Sequence, residues 1–217
     1  MVQRRKRLLS VESILDAALA CVDEVGRLTM ADLAARLGAS ASSIYHHVPG
    51  RAAIVEALRE RVAAAIEPPA LDGNDWTGQI ADWMRSYRRA LAEHPNLIPM
   101  LNEHTMTAGS VLLAYDRVAA LLQLAGVPAH DVVLWISTLD CYALGSALDL
   151  AAPDQVWRVD QDDLPTLSEA IAAAPSGRRR ADEAFDLGLG ALLTGLRQRL
   201  ADGRVSGQAG GDLHSRR

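Results

Sequence analysis

Apolar residues recur every three or four positions along most of this chain, the spacing that lines one face of an α-helix. From Ser10 to Val25, Ile14, Ala18, Cys21 and Val25 share a face, and Gly26 ends the run. A second helix opens at Thr29, whose hydroxyl is suited to cap it, with Asp32 three positions on as a short-armed capping-box partner. Met30, Leu33, Ala34 and Leu37 carry its periodicity, and Gly38 supplies the positive φ that a helix C-terminus favours. Ser40 is placed to cap a third helix, with Ser43 returning the bond; Ile44 and Val48 should pack on Leu33 and Leu37, and small Ala34 permits a close crossing. A fourth helix is expected over about 51–67, with Ile54, Val55, Leu58, Val62 and Ile66 inward, stopped by Pro68-Pro69.

Beyond a linker reaching Asp75 the pattern becomes longer and more apolar. It predicts a helix over about 76–93, with Ile80, Trp83, Met84, Tyr87 and Leu91 on one face, broken by His94-Pro95. A short helix over 96–103 and one over 108–125 follow. Helix eight, about 130–152, is apolar almost all round, which predicts burial on most sides. A loop with prolines and acids, a short helix over 167–173, a second loop and a last helix over 181–200 complete the chain. Alternating strand-like runs are scarce, so the fold expected is all-α: an N-terminal three-helix domain with a helix-turn-helix, then a C-terminal domain of longer helices. The expected boundaries are a basic flexible arm at 1–9, the first domain with the start of helix four at 10–67, the second domain at 76–201 and a disordered tail at 202–217.

The stretch LTMADLAARLGASASSIYHHVPGR holds the candidate chemistry. Opposite Ile44 and Val48, the third helix carries Ala41, Ser42, Tyr45 and His46, at offsets 0, 1, 4 and 5. Small residues allow a helix to approach a DNA major groove closely, while hydroxyls and rings reach phosphates and base edges. Arg51, after Pro49-Gly50, is placed to bind a phosphate, a contact that sets register rather than sequence preference. His46 and His47 do not read as a metal site, because successive helical residues point about 100° apart.

This stretch resembles the DNA-binding domain of the TetR family of bacterial one-component repressors. The resemblance rests on the Leu-Thr opening, the Leu-Ala-x-x-Leu-Gly core, the Ser/Ile/Tyr recognition helix, the aromatic-His-Val exit and the basic residue after Pro-Gly. It spans about residues 10–66 and extends into AAIVEALRERV. It implies DNA contact from Thr29, Met30, Ala41, Ser42, Ser43, Tyr45, His46, His47 and Arg51. Ala31 and Ala41 stand where other members often place long polar side chains, which leaves Tyr45, His46 and Arg51 as the stronger candidates.

A formal net charge of −5 on 217 residues argues at first against a DNA binder. Its distribution removes the objection: residues 1–66 hold nine basic and seven acidic side chains, a net of +2, and the remainder nets −7. Arg4, Arg5 and Lys6, with Arg7, form a compact arm able to reach phosphates or a minor groove. No run of about 18 apolar residues and no secretory pattern stands out, so a cytoplasmic protein without membrane contact is expected. Cys21 and Cys141 lie in apolar helical contexts and are expected as buried, reduced thiols.

The last helix carries Phe185, Leu189, Leu192, Leu193, Leu196 and Leu200, with Gly188, Ala191 and Gly195 between them; helix eight has Ala143, Gly145 and Ala147. One monomer cannot easily bury both helices on all sides. The resemblance implies a homodimer pairing these two helices with their copies, and hence a palindromic operator in double-stranded DNA. For an effector, a mostly apolar pocket with a few oriented polar groups would draw on Trp83, Tyr87, His104, Met106, Thr107, Tyr115, Trp135 and Asp140. Asp140 is the sharpest of these, since a carboxylate in an apolar helix needs a partner, whether a ligand group, a neighbouring helix or the dimer mate. The second half is also similar to the tetracycline-repressor-like C-terminal domain, in which a His and Thr at the spacing of His104 and Thr107 meet the drug and its magnesium. Glu67 stands where a pocket His belongs in that domain, so neither metal nor cofactor is expected here.

These observations favour a transcriptional repressor released from its operator by an unidentified, largely apolar small molecule. The alternative is a DNA-binding regulator or architectural protein with no such ligand. G-x-S-x-G and H-E-x-x-H motifs are absent and no Cys-His pair has suggestive spacing, so an enzyme is not expected.

Overall fold

The computed structural model describes residues 9–71, 75–159 and 164–211, with side chains through Asp202. Arg4, Arg5 and Lys6 lie outside the described residues. All regular structure among the described residues is helical, and the chain divides into two compact units, with the division falling inside two of the helices.

The first unit runs to Pro68 and includes Ser86–Asp116. Helix α1, Val11–Val25, opens on a reciprocal Ser10–Ser13 capping box and closes on Gly26 at φ 72°. Helix α2, Met30–Leu37, is capped by Thr29, whose Oγ1 accepts the Asp32 amide at 3.0 Å; Gly38, at φ 61°, ends it. The Asp32 carboxylate pairs outward with Arg27 at 3.3 Å rather than completing a capping box. Helix α3 is short, Ala41–Tyr45, and Ser40 Oγ accepts the Ser43 amide at its start. His46 caps its end, so His47 and Val48 fall in the following turn rather than on the helix. Helix α4, Arg51–Ala63, stops sooner than the expected Glu67. Ile14, Ala18, Val22, Leu33, Ile44, Ile54, Val55 and Leu58 are fully buried and form this unit's core. Each buried Ile, Leu or Val among them contributes about 1.5–3 kcal/mol.

Helix α5, Trp76–Ala92, enters this unit at Ser86. Pro95 breaks the helix as expected and becomes the first residue of a single 3₁₀ turn, Pro95–Leu97, which leads directly into α6, Ile98–Leu101. This connection is fastened to the end of α1: His94 Nδ1 lies 3.0 Å from the Asp23 carboxylate, and Asn96 Nδ2 donates to the Val22 and Asp23 carbonyls at 3.2 Å. The Val22 carbonyl already accepts the Gly26 amide, and Asn96 adds a side-chain donor to this last turn of α1. Helix α7, Gly109–Ala125, leaves this unit after Asp116.

The second unit comprises Pro69–Arg85 and the residues from Arg117 onward. Its longest elements are α8, Ala129–Leu150, and α10, Gly177–Gly211; the short α9, Pro165–Ala173, has no buried residue. The expectation of a last helix ending at Leu200 and a tail from 202 differs from this, since the α10 backbone stays helical to Gly211. Leu139, Ala143 and Ala147 of α8 and Ala181, Phe185, Leu189, Leu193 and Leu196 of α10 form buried faces. Between these helices Tyr142 stacks on Phe185 at 5.5 Å, and its hydroxyl donates to the Phe185 carbonyl at 2.9 Å. At the far end, Arg180 makes a two-pronged pair with Asp149 at 2.8 and 3.1 Å.

Four expectations for these helices are corrected. Helix α8 is not buried on most sides: Val133, Leu134, Ser137, Thr138, Cys141, Gly145 and Leu148 are exposed along one face. Cys141 is therefore an exposed thiol, while Cys21 is buried. By length and composition this helix also reaches the apolarity of a membrane span, which the sequence pattern did not flag. Of the small residues expected to admit a second copy, Ala143, Ala147 and Gly188 serve the chain's own packing. A Cβ on Gly188 would collide with the Tyr142 hydroxyl, whereas Gly145 and Gly195 face open space.

Replacing Gly188 with Ala should therefore cost about 1–3 kcal/mol by overpacking. Replacing Gly195 with Ala should leave the isolated subunit unaffected or slightly stabilised through helix propensity. Urea denaturation of the two variants checks this contrast.

Candidate nucleic-acid interface and effector segment

Helix α3 is held to the protein by one fully buried side chain, Ile44. Around it Ala41, Ser42, Tyr45, His46 and His47 are exposed, Tyr45 at 51%, and Ser43 is half-buried in the cap. Gly50, at φ 149°, turns the chain back beneath Tyr45, close enough for a Cβ there to touch the ring at 3.8 Å. Five candidate contact residues thus occupy a continuous short stretch on the surface. Thr29 and half-buried Met30 stand at the N-terminus of α2.

Arg51 reaches this group indirectly. Its Nε donates to the Leu28 carbonyl at 3.0 Å, which holds the guanidinium beside the capped start of α2. Its Nη1 meets Glu103 Oε2 at 2.7 Å. The Arg51 guanidinium holds the Glu103 carboxyl below the usual carboxylate range.

Helix α4 makes more contacts of this kind along the segment from Leu101 to Ser110. Glu56 Oε1 accepts the amides of Thr107 and Ala108, the latter at 2.6 Å, and the Thr107 hydroxyl at 3.2 Å. Its other oxygen receives Arg59 Nε at 2.9 Å. Buried Arg59 also donates to the Leu101 carbonyl, and Ser110 donates to Glu60 at 3.2 Å. Ala108 immediately precedes α7, so Glu56 supplies the negative charge that a helix N-terminus favours. Burial pushes the Glu56 carboxyl up, but the Thr107 amide, Arg59 and the Ala108 amide together outweigh it and hold the group below its ordinary value.

Of the effector candidates, Tyr87 and Tyr115 are brought together with hydroxyls 3.3 Å apart, both half-buried. His104 is exposed, Met106 half-buried, and Thr107 is tied to Glu56. Trp83, Trp135 and Asp140 belong to the second unit; Trp83 is buried at 4% exposure, and the other two are half-buried. The Asp140 carboxylate is thus less enclosed than the apolar run around it suggested. Glu56, Arg59 and Glu103 were not singled out from the sequence. A Glu and an Arg three apart in a helix otherwise rich in Ala, Ile, Val and Leu were the available signal.

A short, exposed reading helix packed on a capped supporting helix defines a helix-turn-helix transcription regulator. Residues 14–58 match the family described as bacterial regulatory proteins, tetR family, and residues 68–200 match the tetracyclin repressor-like C-terminal domain. The chain belongs to the TetR family of transcription regulators, which are not enzymes. It is 30% identical over 167 residues to an HTH-type transcriptional regulator of Saccharopolyspora erythraea, covering 76% of this chain and 69% of that protein. It is 30% identical over 216 residues to the class A tetracycline repressor protein from transposon 1721 in Escherichia coli, covering 94% and 98%. Among solved structures, the Streptomyces coelicolor TetR family protein ActR in complex with actinorhodin shares its fold. That match has a TM-score of 0.71 and 22% identity, covering 89% of this chain and 99% of the other.

The lowered carboxyl of Glu56 fixes the sign of a pH effect. Its contribution is fully present above the unfolded-state value, about 4.3, and is lost as pH falls through the lower folded value. Stability curves of wild type and Glu56→Gln should stay parallel above about pH 5 and converge below it. Urea denaturation across that range measures the gap, and a gap constant down to about pH 3 would contradict the assigned hydrogen bonding.

Proposed function

We propose that this regulator is a cytoplasmic repressor that binds a palindromic operator as a homodimer and is released by a small, largely apolar effector. Residues 10–67 act as the reader, residues 76–201 as the dimerisation and effector domain, and the arm Arg4, Arg5 and Lys6 adds phosphate contacts. The observation that carries the DNA reading is the surface of α3. Ser42, Tyr45 and His46 are exposed together on a helix whose inward side is satisfied by Ile44. Tyr45 and His46 would meet base edges, while Thr29, Ser43, His47 and Arg51 would fix the register on phosphates.

The open face of α8 supports a second copy as partner. Val133 at 67% and Leu134 at 63% exposure are costly to leave in water, as is Leu187 of α10 at 77%. Effector binding is supported by the half-buried tyrosine pair, by His104 and Thr107 on the segment held by α4, and by relatives named for tetracycline and found with actinorhodin. An effector can move the operator equilibrium only through different affinities for the two states.

Selection of genomic DNA fragments by the purified protein at about 150 mM salt, where non-specific attraction is weakened, should enrich a palindrome. An unenriched pool would remove the sequence-specific reading. Tyr45→Ala should then weaken binding to that palindrome by about 1–3 kcal/mol without altering the sedimentation of the dimer. Val133→Glu should have the opposite profile, shifting sedimentation toward monomer and losing operator binding as a consequence.

A further inference from the structure

The Arg51–Glu103 pair joins two places with different expected roles. Arg51 opens α4 beside the capped start of α2, where an operator phosphate would lie. Glu103 stands immediately before His104, on a stretch without regular structure between α6 and α7. This stretch is held from both ends by α4: Arg59 grips the Leu101 carbonyl upstream, and Glu56 grips the Thr107 and Ala108 amides downstream. All these residues belong to the first compact unit.

Glu103 occupies Arg51 with the same chemistry that a phosphate would use. A carboxylate oxygen 2.7 Å from Nη1 makes a charge-assisted hydrogen bond and neutralises the guanidinium. The pair is open to solvent, at 33% and 47% side-chain exposure, so an incoming anion can reach it. Exposed pairs of this kind are weak enough to exchange partners.

We propose that Glu103 is an internal competitor for Arg51, so that the path of residues 103–107 sets how strongly the reading head holds DNA. This rests on the DNA-binding reading above and adds a regulatory residue to it. When the segment keeps the path described here, Glu103 stays on Arg51 and one phosphate contact is withheld. When the segment shifts, Arg51 is released to the DNA backbone. An effector that stabilises the present path therefore lowers affinity through charge as well as through any movement of α4.

The test needs neither the operator nor the effector, because phosphate contacts act on any duplex. The full chain, Glu103→Gln, Arg51→Ala and the double variant are titrated against a labelled mixed-sequence DNA duplex over a range of salt concentrations. Binding is followed by fluorescence anisotropy, and circular dichroism confirms folding; Glu103→Ala serves as a second variant. Glu103→Gln should bind about fivefold more tightly near 0.15 M salt, and its plot of log affinity against log salt should steepen by about 0.9, one phosphate contact. In the Arg51→Ala background the same substitution should not steepen the slope. Equal tightening in both backgrounds would reduce the effect to net charge and overturn the competition. An unchanged slope in Glu103→Gln and Glu103→Ala would also overturn it, while leaving the DNA-binding reading in place. If the wild-type chain fails to bind duplex DNA at any salt, both readings fall together.

Discussion

The double attachment of α4 is the constraint on which the first unit depends. On one side Ile54, Val55, Leu58 and Val62 are buried among the side chains of the helix-turn-helix core. On the other, Arg51, Glu56, Arg59 and Glu60 each find a partner between Leu101 and Ser110. A helix serving two partners cannot separate into one apolar and one polar face, since each side has its own requirements. Arg59 shows the cost most clearly: it is almost fully buried, and it is tolerable there because Glu56 and the Leu101 carbonyl both receive its donors.

This attachment places the segment between α6 and α7 in the same compact unit as the reading head. The end of α1 adds a second fastening, through His94 and Asn96. The two units divide between Pro68 and Pro69, and the first unit also takes in Ser86–Asp116.

The local signals in the sequence were legible where a single residue type decides the geometry. Thr29 and Ser40 cap the second and third helices, and Gly26 and Gly38 adopt the positive φ that ends the first and second. The exposed positions on α3 followed from the spacing around Ile44. What was not legible depended on contacts far apart in sequence. Arg51 read as free to bind phosphate, but its partner Glu103 is 52 residues away. The apolar run of α8 showed a helix in need of cover, but not which of its faces the single chain leaves open. Gly188 read as a contact for a second copy, although Tyr142 had already filled the space.

The shortness of α3 has a consequence of another kind. Only Ile44 of its five residues enters the core, and its start is fixed by a serine just outside it. Exchanging Ala41, Ser42 or Tyr45 therefore changes what the helix offers outward while leaving the scaffold's folding energy nearly untouched. If these residues read DNA as proposed, such a head can acquire a new target through a few surface substitutions, each viable alone. Lineages descended from this chain can diverge in the genes they control long before they diverge in shape.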